Sequence, residues 1–82
     1  MKLPRNLSGQ DLVKALKNLG YGVTRQTGSH IRLTTQQKGE HPLTIPNHES
    51  LRIGTLAGIL RDVATHFEID KSELSKKLFY KG

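Results

Sequence analysis

Two short runs of alternating apolar and polar residues flank Gly28-Ser29-His30, and no other feature of the chain restricts its fold as much. Tyr21-Gly22-Val23-Thr24-Arg25-Gln26 precedes the tripeptide and Ile31-Arg32-Leu33-Thr34-Thr35 follows it. Side chains in a strand change face at every residue, so this alternation predicts two half-buried strands. A Gly-containing connection between them predicts a β-hairpin. Parity then assigns faces. With Ile31 and Leu33 directed into a core, His30, Arg32 and Thr34 point away from it. On the first strand Tyr21 and Val23 share the apolar parity, while Thr24 and Gln26 fall on the polar face. Arg25 has the apolar parity but stands at the turn end, where a long side chain reaches water. An exposed histidine beside a permanent cation, with the Ser29 hydroxyl next to it, marks this turn as the candidate working end.

The remaining segments supply what a hairpin needs to bury its apolar face. Ser8 and Asp11 stand three apart just ahead of Leu12, Val13, Leu16 and Leu19, resembling a capping box with Asp in place of Glu. Gly20 follows the last apolar residue as a C′ glycine does, so the pattern predicts a helix over about residues 9–19. Residues 36–40 contain nothing apolar and read as an exposed loop. His41-Pro42-Leu43-Thr44-Ile45 alternates again, with Leu43 and Ile45 inward, His41 inward at the end and Thr44 outward. Pro42 makes this an edge strand or one whose regular pairing starts after Pro42. Beyond a turn-rich Pro46–Ser50, the residues Ile53, Leu56, Ile59, Leu60 and Val63 fit one helical face. Gly54 and Gly58 weaken that helix, and one expectation is that they let it lie close to the sheet. Asp70 and Glu73 repeat the capping spacing ahead of Leu74 and Leu78, with Phe79 and Tyr80 expected to close over the core. The order is α-β-β-β-α-α, and the simplest arrangement is an α+β fold: a three-stranded antiparallel sheet with the helices on one face.

Size and charge narrow the function. Eighty-two residues make one domain, taken as 1–82, with a thin core and no deep cavity for a large organic cofactor. The absence of cysteine excludes disulfides, thiolate metal sites and a cysteine nucleophile. No apolar stretch approaches a membrane span and the N-terminal residues have no apolar signal region, so a cytoplasmic location without membrane association is expected. The 13 Lys and Arg against 7 Asp and Glu are unevenly spread: residues 1–35 carry six cations and one anion, residues 36–82 seven cations and six anions. The excess thus accompanies the first helix and the hairpin of His30, which suggests a polyanionic partner, nucleic acid being the commonest. A soluble, well-charged surface is the plainer reading of the same numbers.

The candidate site residues each admit two readings at this point. His30 is either a proton-transfer group or an exposed polar residue ending a hairpin. Lys14 and Lys17 either continue the basic surface or form a solvated helix face. His48 is either a second proton-transfer group or a local hydrogen-bonding residue ahead of the helix. His41 and His66 look incidental, and the four histidines have no recognisable zinc spacing, so no metal or other cofactor is expected.

Ser8-Gly9, the Leu12/Val13/Leu16 helix, Gly20-Tyr21, Arg25-Gln26, Gly28-Ser29-His30, Pro46-x-His48 and Gly54-Thr55-Leu56-x-x-Ile59-Leu60 follow one another in the order and spacing of HicA toxins. The chain resembles that family, the mRNA interferases of HicAB toxin–antitoxin systems, over about residues 7–65. The resemblance implies a fold like the double-stranded RNA-binding domain, a catalytic His30, metal-independent cleavage of mRNA and neutralisation by a HicB-type antitoxin protein. RNA carries its own nucleophile, the 2′-hydroxyl, and histidine suits the proton transfers because both of its forms exist near neutrality. Arg25 and Arg32 are candidates for binding phosphate in a bidentate manner, Ser29 and Gly28 for offering a hydroxyl and backbone N–H groups, and Lys14 and Lys17 for extending the RNA contact. The competing functions are a non-catalytic RNA-binding module of the same fold and an inert domain complementing an acidic protein.

Overall fold

In the computed structural model, which describes residues 6–79, the first helix begins where local chemistry dictates. Ser8 is the N-cap of α1 (Gly9–Leu16): its hydroxyl accepts from the Asp11 N–H at 3.0 Å and the Asp11 carboxylate accepts from the Ser8 N–H at 3.2 Å. The capping box is complete. That backbone N–H, followed by the hydroxyl, holds the Asp11 carboxyl below its ordinary value. A 3-10 turn over Lys17–Leu19 continues α1 and ends at Gly20 with φ +82°, a left-handed conformation that glycine adopts without strain.

The three strands are β1 (Gly22–Gln26), β2 (His30–Thr35) and β3 (His41–Pro46), antiparallel in the order β1-β2-β3. β3 is therefore an edge strand, and Pro42 is accommodated within it opposite Thr34. Ile31, Leu33, Leu43 and Ile45 are buried on the inner face, and His30, Arg32 and Thr44 are exposed on the outer one, as parity requires. Truncation of a fully buried leucine such as Leu33 would cost on the order of 2–5 kcal/mol, whereas its neighbour Arg32 is free to serve another purpose.

β1 departs from the simple alternation. Its pairing with β2 runs Val23↔Leu33, then Arg25↔Arg32 and Gln26↔Ile31, so Thr24 is an extra residue at a β-bulge. The bulge reverses parity for everything after it. Arg25 lies across from Arg32, with its outer-face neighbours, and Gln26 takes the opposite parity, the reverse of the alternation expected from the sequence. Val23 has the apolar parity but is 47% exposed, because β1 is the other edge and the helices pack over β3 and the inner side chains of β2.

α2 (Ile53–Phe67) buries Leu56, Leu60, Val63, Ala64 and Phe67. Ile53 has the angular position of that face but, as the first residue of α2, is 59% exposed. Gly54 and Gly58 do not bring α2 close to the sheet. At 100° per residue they fall opposite the buried face, and a Cβ on either would meet nothing. α3 (Lys71–Phe79) starts with the Asp70 carboxylate accepting from the Glu73 N–H at 2.7 Å, and it buries Leu74 and Leu78. Phe79 packs half-buried against the core, and Tyr80 lies outside the described residues. The buried side chains of all these elements form one hydrophobic cluster. The result is the α+β arrangement of a double-stranded RNA-binding domain. No helix among the described residues is long and apolar enough to cross a membrane.

Candidate functional site

The turn before β2 is held by its own side chains. The Thr27 N–H donates to the His30 carbonyl at 2.9 Å, and the His30 N–H donates to the Thr27 hydroxyl at 3.1 Å. This leaves Gly28 and Ser29 at the exposed tip. Gly28 has no left-handed φ, and a Cβ there would meet nothing, so folding does not demand glycine at this position. Its value is a bare backbone that a ligand can approach.

His30 is exposed on the outer face, and its Nδ1 lies 3.0 Å from the Ser29 hydroxyl. A hydroxyl rotates and is both donor and acceptor, so this one contact serves both tautomers. When Ser29 donates to Nδ1, the ring is neutral and Nε2–H is its one donor; in the imidazolium both nitrogens are protonated, Nδ1–H donates to Ser29 and Nε2–H is the acid. When Nδ1–H donates to Ser29, Nε2 is bare and is a base. The free nitrogen remains available in either case.

A depression of about 180 Å³ opens at this point, lined by Arg25, Thr27, His30, Arg32 and Thr44. Its two guanidinium groups come from adjacent strands and are opposed because of the bulge at Thr24. Among the described residues neither arginine forms an ion pair, and no carboxylate lines the depression. Two permanent cations without counter-charge, an exposed imidazole and the Thr44 hydroxyl suit an anionic ligand of about the size of one phosphodiester. A wider, open basin of about 710 Å³ elsewhere on the surface includes Thr24, Thr34, Gln37 and Glu40. It contains a carboxylate and no cation, so it lacks that chemistry.

The other candidates are placed differently. Lys14 and Lys17 are exposed on the helical layer and do not line the depression; the helix that carries them ends beside Thr35, whose hydroxyl donates to the Leu19 carbonyl at 2.9 Å, remote from His30. His48 is exposed two residues beyond Pro46, the partner of His30 in the ladder, and its carbonyl accepts from the Gly9 N–H at 2.9 Å. The local hydrogen bond at this position is therefore made by the backbone.

Two features escaped the sequence reading. Thr27 and Thr44 belong to the depression; a threonine opening a tight turn and the outward parity of Thr44 were the available signals. His41 and His66 are not incidental to the structure. The Tyr21 hydroxyl lies 2.6 Å from His41 Nδ1, and His41 Nε2 lies 3.2 Å from the Asp62 carboxylate. His66 donates from Nε2 to the Gln37 carbonyl at 2.9 Å and stacks on His41 with ring centroids 4.4 Å apart. Burial, then the Asp62 charge, pushes the Tyr21 phenol well above its ordinary value. This cluster ties β3, α2 and the 36–40 loop together. Among the described residues no three His, Asp or Glu side chains converge as metal ligands would.

A family model described as HicA toxin of bacterial toxin-antitoxin matches residues 9–64, well over half of the chain. No curated protein and no solved structure matches it. The matched span includes the capped first helix, all three strands with the His30 depression, and most of α2.

Proposed function

The chain belongs to the HicA toxin family of bacterial toxin–antitoxin systems, and on that premise we propose that it is an endoribonuclease that cleaves mRNA through His30. The observation that carries this reading is the exposed imidazole, tied at Nδ1 to Ser29 and bordered by Arg25 and Arg32 without counter-charge. RNA enters with a phosphodiester in the depression. His30 Nε2 takes the proton of the 2′-hydroxyl as its oxygen attacks phosphorus. The two guanidinium groups stabilise the charge that grows on the phosphoryl oxygens, and Thr44 offers a hydroxyl donor beside them. The P–O5′ bond breaks, and the proton now on the imidazole passes to the departing 5′-oxygen. A 2′,3′-cyclic phosphate and a 5′-hydroxyl remain, and His30 is regenerated. No step calls on a metal ion.

Toxins of this kind are paired with an antitoxin. The partner we propose is a HicB-type protein that neutralises the nuclease, with the basic outer face as the surface that RNA uses.

The test is incubation of the purified protein with RNA in EDTA, beside His30→Ala. The expected result is cleavage leaving cyclic phosphate and 5′-hydroxyl ends, slowed by about 10²–10⁴-fold in the variant, the usual contribution of a positioned acid or base. Equal cleavage by the two proteins, or an absolute metal requirement, would overturn the proposal. Salt-sensitive RNA affinity without scission would identify a binding module instead.

A further inference from the structure

We propose that Asn47 is a positioning residue for His30, a clasp that fixes the catalytic turn to α1 and to the β3–α2 connection; this rests on the nuclease reading above. The tip of a hairpin is ordinarily the most mobile part of a sheet. Gly28 and Ser29 are exposed, and a Cβ on Gly28 would meet nothing that could hold the tip. Yet the carbonyls of both residues are engaged, and by the same partner. The Asn47 N–H donates to the Ser29 carbonyl at 2.9 Å, and Asn47 Nδ2 donates to the Gly28 carbonyl at 3.3 Å. The remaining polar atom, Oδ1, accepts from Gln10 Nε2 at 3.3 Å. One half-buried amide thus joins three segments far apart in the chain.

The anchor at the other end is firm. Gln10 lies in the first turn of α1, beside Gly9, whose N–H donates to the His48 carbonyl at 2.9 Å. A Cβ on Gly9 would collide with the Pro46 carbonyl, so α1 meets this connection at backbone distance. The turn is therefore referenced to the helix N-terminus, not only to its own strands.

The consequence falls on the imidazole. Two groups set the position of the His30 ring: the backbone at the start of β2, and the Ser29 hydroxyl on Nδ1. The His30 backbone is itself tied to Thr27 and paired with Pro46, so it is the second group, the Ser29 hydroxyl, that follows the Gly28–Ser29 segment held by Asn47. Arg25 and Arg32 stand on β1 and β2, paired by the ladder, and do not depend on the clasp. Loss of Asn47 should therefore misplace the proton-transfer group while leaving the anion-binding charges intact. Asparagine is the residue type the geometry needs. Aspartate would keep an acceptor for Gln10 but would turn an oxygen toward the Gly28 carbonyl, and glutamine is one methylene too long.

The test compares wild type, Asn47→Ala, Asn47→Asp, Gln10→Ala and the Gln10→Ala/Asn47→Ala double variant. The readouts are single-turnover cleavage at saturating protein, affinity for 2′-O-methyl RNA (whose nucleophile is blocked), thermal unfolding, and amide hydrogen exchange at residue 47. Asn47→Ala is expected to lower the single-turnover rate by about 10-fold or more, since small misplacements of reacting groups carry costs on the order of 10²-fold. Its affinity for the blocked RNA should stay unchanged, and exchange should accelerate at residue 47, whose N–H donates to the Ser29 carbonyl, but not at Leu33. Asn47→Asp should be no faster than Asn47→Ala. Gln10→Ala should fall between wild type and Asn47→Ala, and the double variant should equal Asn47→Ala, because both residues act through one chain of contacts. A wild-type rate in Asn47→Ala overturns the clasp. So does a rate loss matched by equal losses of affinity and thermal stability with exchange accelerated throughout. If the wild type does not cleave RNA, the nuclease reading alone fails; exchange unchanged at residue 47 in the variants would then overturn the clasp separately.

Discussion

His30 and His41 each open a strand, and they stand at opposite ends of the same ladder: His30 faces Pro46, and His41 faces Thr35. Their surroundings have little in common. His30 lies on the outer face with one nitrogen against Ser29 and the other in water, and its charged neighbours are Arg25 and Arg32. His41 lies on the inner parity with both nitrogens engaged, by Tyr21 and Asp62, and its ring is covered by His66. The charged groups around that end include Asp62, Glu68 and Lys38, with Lys38 Nζ donating to the Phe67 carbonyl at 3.3 Å. The comparison teaches that residue type does not decide whether a histidine is left free for chemistry or tied into the structure. The face of the sheet decides it, together with whether the second nitrogen is left free.

The largest effect that would break this contrast concerns activity. His30→Ala should lower RNA cleavage by about 10²–10⁴-fold, while thermal unfolding stays within the about 0.5 kcal/mol expected for an exposed position. His41→Ala should do the reverse. It leaves the buried Tyr21 hydroxyl without its partner, a cost of about 1–3 kcal/mol, and about 4–8 °C of melting temperature accompanies each kcal/mol in a domain of this size. Cleavage per folded molecule should be retained. If calorimetry shows that His30→Ala melts early, or cleavage assays show that His41→Ala is inactive, the two ends do not divide the work as argued.

A smaller effect sharpens the contrast through pH. The Tyr21 phenol titrates above its ordinary value of 10.0 in the folded protein. Between the unfolded and folded values the unfolded chain has released a proton that the folded chain retains, so stability is fully present below about pH 10 and is lost as pH rises further. Tyr21→Phe should flatten that alkaline loss in a series of denaturant melts, at a cost of about 1 kcal/mol near neutral pH for the missing hydrogen bond. A comparison of glycines tests the turn itself. Gly28→Ala should change stability by less than about 0.5 kcal/mol. Gly20→Ala, at φ +82° and crowded by Thr35 and Gln37, should cost about 1–2 kcal/mol. Equal costs from chemical denaturation would mean that the His30 turn is as constrained by its own backbone as the helix end is.

Much of the fold was legible because the rules involved are short-ranged. Ser8 and Asp11, Gly20, and Asp70 with Glu73 occupy the cap positions that their spacing indicates. The inward set Ile31, Leu33, Leu43 and Ile45 follows from alternation, and the outward placement of His30 and Arg32 follows with it. Alternation failed at Thr24. A bulge adds one residue to one strand, and nothing in Val23-Thr24-Arg25 announces it, because the insertion is a property of how β1 pairs with β2. The angular position of Ile53 was read correctly and its burial was not, since coverage depends on where the neighbouring layer ends. The polar cluster around His41 was invisible for a similar reason: Tyr21, His41 and the α2 residues Asp62 and His66 come from three separate segments.

What the amino-acid sequence determined alone is whatever neighbours within about four residues settle: helix caps, strand parity, the turn at Gly28-Ser29, and an imidazole directed away from the core. The ordered motifs that place the chain in the HicA toxin family belong to that level as well. Tertiary structure decided which cation stands opposite Arg32, which histidine keeps a free nitrogen, and what reaches across to Gly28 and Ser29. Those are outcomes of register and layer packing, in which a shift of one residue exchanges inside for outside. Only the paired strands and the docked helix contain that information.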